Sequence, residues 1–155
     1  MATVERFEDL LCWKKSRELV KEVYRSLAVC RDAGFRDQIQ RASVSVMSNI
    51  AEGFESGTRQ EFLNYLYIAK ASAGEVRAQL YAAYDIGYVH VEIFKHLKGL
   101  AEECSKLLNS FIVRVKQSGF SGLQYKHERR PDPLKEITRT RAPEVFKRMY
   151  PNEKP

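Results

Sequence analysis

Apolar residues recur through the first three quarters of the chain at steps of three and four, the period of a helix with one buried face. Four such segments are separated by short polar or glycine-containing breaks. The first spans about Asp9 to Leu27, with Leu10, Trp13, Val20, Tyr24 and Leu27 on one side and Asp9 placed to cap it. The second begins after the turn around Gly34, gathers Ile39, Ala42, Val46 and Ile50 on one arc, and ends near Gly53, a residue suited to a left-handed helix terminus. Thr58 and Glu61 form a capping-box pair that opens the third, whose apolar face is Phe62, Leu66, Ala69, Ala73, Val76, Leu80 and Tyr84 and which should stop near Gly87. Phe94, Leu97, Ala101, Cys104, Leu108, Phe111 and Val115 give the fourth, about Val91 to Lys116, the spacing of a bundle seam. Short connections return each helix alongside its predecessor, so the expected fold is all-α, an antiparallel up-down-up-down four-helix bundle.

A second pattern lies over the second helix. Gln38, Arg41, Ser45, Asn49 and Glu52 fall within an arc of about 80° beside the apolar one. Ordinary exposed faces carry Lys and Glu in no fixed order, whereas this stripe mixes amides, a hydroxyl and one opposite-charge pair. The third helix repeats it with Ile68, Ser72, Glu75 and Gln79. Both helices are rich in small residues, Ala42, Ser43, Ser45, Ser48 and Ala51 on one and Ala69, Ala71, Ser72, Ala73 and Gly74 on the other, which allow close approach. Buried polar groups need mutual partners, and this spacing supplies them, so helix or subunit contact is preferred over a ligand site for the stripe. Arg41 and Glu52 are too far apart on one helix to pair with each other and are expected to pair across helices or across protomers. An acid/base pair built from Glu52 and Glu75 would need a cleft that a slender bundle rarely offers.

Proline placement divides the chain, because all five prolines lie at or after Pro131 and none interrupts the helical segments. Residues 1–117 are expected to form the bundle and 118–155 a basic, Pro-containing tail, partly disordered or docked through a short helix near 143–150 that Pro143 opens and Val145, Phe146 and Met149 anchor. Charge follows the same division: of the formal net +6, the body carries +2 and the tail +4. In the tail Arg129, Arg130, Arg139, Arg141, Lys147 and Arg148 are interleaved with aromatic residues, a mixture suited to phosphate contact and base stacking and equally to a solvated extension.

Composition excludes several chemistries. Cys12, Cys30 and Cys104 are odd in number and lack CxxC spacing, so neither a disulfide framework nor a thiolate metal site is expected, and a cytoplasmic, reducing setting fits. His90 and His96 do not share a helical face, and His127 lies in the tail, so no bundle metal site is expected. Neither GxxxxGK[ST] nor GxGxxG occurs, and the longest charge-free run in the stripe segment, Ala42 to Ala51, is too short to span a bilayer. No catalytic residue, cofactor or membrane association is therefore expected.

The combination of Phe7-Glu8-Asp9-Leu10, Trp13, Gln38-Ile39-Gln40-Arg41-Ala42, Ser45, Ser48-Asn49-Ile50-Ala51-Glu52-Gly53, Phe62-Leu63, Ile68-Ala69, Ser72, Glu75 and Gly87-Tyr88 resembles the bacterial four-helix-bundle proteins encoded by intervening sequences of 23S ribosomal RNA genes. The resemblance covers about residues 6 to 117. It departs from the family pattern at Val29-Cys30-Arg31, where a Phe-Pro pair is usual, and at Ala71, where Gly is usual. The family includes or borders the accessory variability proteins of diversity-generating retroelements, which assist a reverse transcriptase by binding RNA. The resemblance implies a homopentamer with a central channel and no established enzymatic activity.

Two functional classes follow. The preferred one is a non-catalytic homo-oligomer that binds structured RNA or a ribonucleoprotein, including a reverse transcriptase–RNA complex. The alternative is a protein-interaction scaffold for which RNA is irrelevant.

Overall fold

The structure is a computed structural model that describes residues 4–117, 138 and 140–149. A 3-10 turn, Phe7–Asp9, leads into α1 (Leu11–Ser26), α2 (Ala33–Glu55), α3 (Arg59–Ile86) and α4 (Val91–Gln117), and a short α5 (Pro143–Met149) follows. Two compact units are distinguished, Met1–Tyr125 and Lys126–Pro155. In the first, α1 packs on α2, α2 on α3, α3 on α4, and α4 closes the ring against α1, with no diagonal pairing. That adjacency, with short turns between successive helices, is the four-helix bundle the hydrophobic period predicts. The α2–α3 contact is the most extensive.

The core is contributed by all four helices. Ile39, Val46 and Ile50 from α2, Phe62, Leu66, Ala69, Ala73, Val76 and Leu80 from α3, and Leu97, Ala101, Cys104, Leu108 and Val115 from α4 are all fully buried. Aromatic rings concentrate where α2 meets α3: Phe54 and Phe111 each stand edge-on to Phe62, at 5.9 and 5.7 Å between centroids.

Helix ends follow local chemistry with three corrections. Asp9 does not cap α1; it sits in the 3-10 turn, and α1 begins after Leu10 without a side-chain cap. On α1 the buried face is Cys12, Ser16, Leu19 and Val23; Leu10 and Leu27, which flank the helix, are buried as expected, but Tyr24 is exposed and Val20 only half-buried, so within the helix the core face is rotated from the expected one. Serine can take a core position because the Ser16 hydroxyl donates to the Trp13 carbonyl at 2.7 Å. Gly53 does not end α2 in a left-handed turn; the helix runs on to Glu55, and Gly53 instead lies where α3 crosses closely.

The other ends agree with the sequence or add to it. Asp32 caps α2 by accepting the Phe35 amide at 2.9 Å and also accepts the Tyr88 hydroxyl at 2.8 Å, tying the α1–α2 loop to the α3–α4 loop. These bonds, the Phe35 amide first, hold the Asp32 carboxyl below the ordinary carboxylate range. Thr58 caps α3 through the Glu61 amide and donates its hydroxyl to the Glu61 carboxylate at 2.9 Å. Gly87, at φ 86°, terminates α3 in the left-handed region. Arg59 donates to the carbonyls of Val115 and Lys116, placing a cation at the negative end of α4.

Within the second unit, α5 begins at Pro143 as expected. Of its three expected apolar anchors only Phe146 is buried; Val145 and Met149 are exposed.

Candidate functional site

The polar stripe of α2 and its counterpart on α3 form one seam with two depths. In the inner layer Ser72, itself buried, meets Ser45 at 2.9 Å between hydroxyl oxygens and donates to the Ile68 carbonyl at 3.0 Å. Asn49 donates its amide to both the carbonyl and the hydroxyl of Ser45, at 2.8 and 3.0 Å. Two turns of α2 and one of α3 are thus stitched by a short polar chain. Removing any member leaves a polar group short of a partner. Small residues beneath the seam, Ala42 and Ser43 on α2 and Ala69 and Ala73 on α3, are buried and let the two helices close together.

The outer layer is different. Gln38, Arg41, Glu52 and Glu75 are exposed. Arg41 pairs with Asp37 one turn earlier on its own helix, 3.2 Å away, and makes no ion pair across helices among the described residues. Glu52 forms no hydrogen bond or ion pair with any described residue. Glu75 accepts from the Gln79 amide at 3.1 Å along α3. The remaining Gln79 oxygen, Oε1, is buried and has no hydrogen-bond partner. Beside this row Ala71, Gly74 and Ala78 face outward, and a methyl group added at Gly74 would meet nothing within 4 Å. Hence Ser45, Asn49 and Ser72 are brought together, whereas Gln38, Arg41, Glu52 and Glu75 present themselves outward.

The nominated basic residues divide similarly. Arg141, Lys147 and Arg148 are exposed, Lys147 lying 3.9 Å from Glu144. Arg129, Arg130 and Arg139 lie outside the described residues.

The three cysteines are buried and unbonded. Burial pushes the Cys12 thiol up to about 11 and that of Cys104 up to about 12, which keeps both protonated and unreactive at neutral pH. No group of three metal-ligating side chains forms among the described residues, and no helix there is long and apolar enough to cross a membrane. A cleft of about 210 Å³ opens between the start of α1 and α4, lined by Leu10, Cys12, Phe111 and Arg114 among others, and is therefore away from the α2–α3 seam.

Sequence reasoning missed Gln79 Oε1, whose isolation depends on what surrounds it, and the Asp32–Tyr88 bond between residues 56 positions apart. Asp32 before a helical segment was a readable cap signal; the Tyr88 partner was not.

The described geometry accords with a family profile and a solved structure. The profile of the 23S rRNA-intervening sequence protein family matches residues 8–110. Among solved structures, a protein of unknown function from the S23 ribosomal protein family of Bacteroides thetaiotaomicron is similar, with a TM-score of 0.63 and 27% identity over 66% of this chain and 98% of that one. No curated protein matches. With the family profile spanning the bundle from Glu8 into α4, including the whole of the striped α2 and its α3 counterpart, the chain belongs to the 23S rRNA-intervening sequence protein family.

Proposed function

We propose that this chain is a non-catalytic homo-oligomer, pentameric as the family resemblance implies, that binds structured RNA or a ribonucleoprotein and can serve as accessory to a reverse transcriptase. The observation that carries the assembly half is the outer layer of the α2–α3 seam. Glu52 is exposed and stands without a partner among the described residues, and Gly74 sits in mid-helix over open space. A mid-helix glycine costs about 1 kcal/mol against alanine. A second helix approaching closely would gain from the missing side chain at Gly74 and offer a donor to the exposed Glu52 carboxylate.

The RNA half rests on charge and kinship. A net charge of +6 and the exposed Arg141, Lys147 and Arg148 favour a polyanion. The name of the matching family refers to 23S rRNA, and that of the structural relative to a ribosomal protein family.

Light scattering on the full chain, with and without a structured RNA at two salt concentrations, tests both halves. A mass of several subunits and an RNA complex that weakens steeply with salt support the proposal. A monomer overturns the assembly reading, and a mass indifferent to RNA overturns the other.

One observation favours the scaffold alternative. Tyr81, Tyr84, Ile86 and Val91 are exposed around the α3–α4 turn, with Tyr84 stacked on Phe94 at 4.9 Å, an apolar patch suited to a protein partner. Partner binding that persists at high salt and is lost on Tyr84→Ala would select it.

A further inference from the structure

Away from the seam, α1 and α2 enclose a shallow groove whose floor is Trp13, Val20 and Met47 and whose rim carries Lys14, Arg17 and Lys21. The rim is basic for a structural reason. Positions 14, 17 and 21 share one side of α1, outside its buried Cys12–Ser16–Leu19–Val23 face. The acidic residue on the groove, Glu18, is already engaged by Lys15 at 2.8 Å. Lys14 lies 3.9 Å from Asp9, a long contact between two exposed groups. Arg17 and Lys21 form no ion pair with a described residue. Arg17 instead rests over the indole of Trp13, 5.8 Å from its centroid, and Phe7 meets the same ring edge-on at 5.2 Å.

From this geometry we infer that the α1–α2 groove is a binding site for single-stranded RNA, with Lys14, Arg17 and Lys21 taking successive phosphates and Trp13 stacking a base. The inference rests on the RNA reading above and moves the first contact from the tail to the body. The three cations span about 10 Å along α1, enough for a run of three to four phosphates at about 3.4 Å per nucleotide of a stacked strand. Cations at that pitch beside an aromatic platform are the two components that single-strand binding needs. Arg17 is held only by the ring, so its guanidinium can turn to a phosphate while the indole face it covered accepts a base. Aspartate and glutamate side chains would use the cations but bring no aromatic face to Trp13, whereas every nucleotide carries both a phosphate and a flat base. The ring therefore favours RNA.

Trp13 is the sole tryptophan of the chain, so its fluorescence reports this groove and no other place. The full chain is titrated with a 5′-labelled 20-nucleotide oligouridylate, reading label anisotropy for total binding and Trp13 emission for the groove. Polyglutamate of similar charge is titrated in parallel. Binding should quench Trp13. The exposed triple variant Lys14→Ala/Arg17→Ala/Lys21→Ala, checked for native circular dichroism, should bind roughly tenfold or more weakly, with a log–log salt slope smaller by about 2. RNA binding that leaves Trp13 emission unchanged and survives the triple substitution overturns the groove and leaves the RNA reading standing. Absence of any anisotropy change at low salt overturns the groove, and the same titration with a structured RNA decides whether the RNA reading falls with it. Equal quenching by polyglutamate overturns the stacking assignment and points to an acidic protein partner.

Discussion

Replacing Gly53 with alanine separates two effects that the sequence alone confuses. In a helix interior alanine is favoured over glycine by about 1 kcal/mol, and at a left-handed terminus it would be disfavoured by strain. Gly53 is neither an open helical site nor a left-handed one. A Cβ there would lie 2.6 Å from the Cβ of Tyr65 and 2.9 Å from a ring carbon of Phe62. Tyr65 Cβ is fixed to the α3 backbone and cannot swing aside, so α2 and α3 must part at their closest approach. Overpacking costs about 1–3 kcal/mol, and a 2.6 Å approach to an atom fixed to the backbone falls in the upper part of that range, about 2–3 kcal/mol. Set against the propensity gain, Gly53→Ala should destabilise by about 1–2 kcal/mol, lowering the melting temperature by roughly 2–8 °C for a chain of this size. Gly74→Ala is the internal control, since the added methyl meets nothing within 4 Å among the described residues. At concentrations where the protein is monomeric it should stabilise by about 1 kcal/mol. Urea unfolding followed by circular dichroism, at fixed protein concentration, measures both. Gly53→Ala as stable as the parent would refute the close-approach argument. A stabilising Gly53→Ala would mean the two helices are not clamped there at all.

Further substitutions probe other layers of the bundle. In a double-mutant cycle on Ser45→Ala and Ser72→Ala, each single change should cost about 1 kcal/mol and the coupling should be about 0.5–1.5 kcal/mol; additive losses would mean that the 2.9 Å hydroxyl contact carries no energy. Phe62→Ala removes the ring that Phe54 and Phe111 both meet edge-on and should cost about 3–5 kcal/mol by denaturant unfolding, whereas a loss below about 1 kcal/mol would show the cluster to be peripheral. Burial raises the folded-state Cys12 and Cys104 thiols from 9.0 to about 11 and about 12, so their contribution to stability is complete below about pH 9 and disappears as pH climbs through the folded values. Unfolding midpoints measured from pH 8 to 11 should fall for the parent and fall less for Cys12→Ala/Cys104→Ala. Identical slopes would remove the thiols from the account.

How far the sequence could be read depended on whether the deciding interaction was local. Hydrophobic period is local to one helix, and it located all four helices of the bundle and the core positions of α2, most of α4, and α3 except Tyr84, which was expected on the buried face and is 42% exposed. The Thr58–Glu61 cap and the Gly87 terminator are also set within a turn of chain. On α1 the same method failed in register because it weighs Tyr24 as apolar and Ser16 as polar. In the fold Tyr24 keeps its polar end in water, 46% exposed, and Ser16 satisfies its hydroxyl on its own helix. Ser43, donating to the Gln40 carbonyl at 2.7 Å, was hidden from hydropathy in the same way. Gly53 was misjudged because only α3, not the neighbouring sequence, reveals why a side chain is excluded. The stripe was legible as a face. Which of its members turn inward was not, because that depends on Ser72 arriving from another helix.

That division of the stripe yields its sharpest test. Ser45, Asn49 and Ser72 spend their hydrogen-bonding capacity within the chain, so their loss should register as lost stability. Arg41 and Glu52 are exposed, and neither ion-pairs across the seam, so their loss should register elsewhere. If the outer layer is a subunit contact, Glu52→Arg should leave the urea midpoint of the dissociated chain in place while lowering the mass seen by light scattering, because the substitution sets like charges against each other only in the assembly. Combining it with Arg41→Glu distinguishes the partner: recovery of mass means that Arg41 of one copy faces Glu52 of another, and no recovery means that each faces a different residue. Full mass in both variants would remove the outer stripe from the interface, leaving the inner layer as the reason these two helices carry polar residues at all.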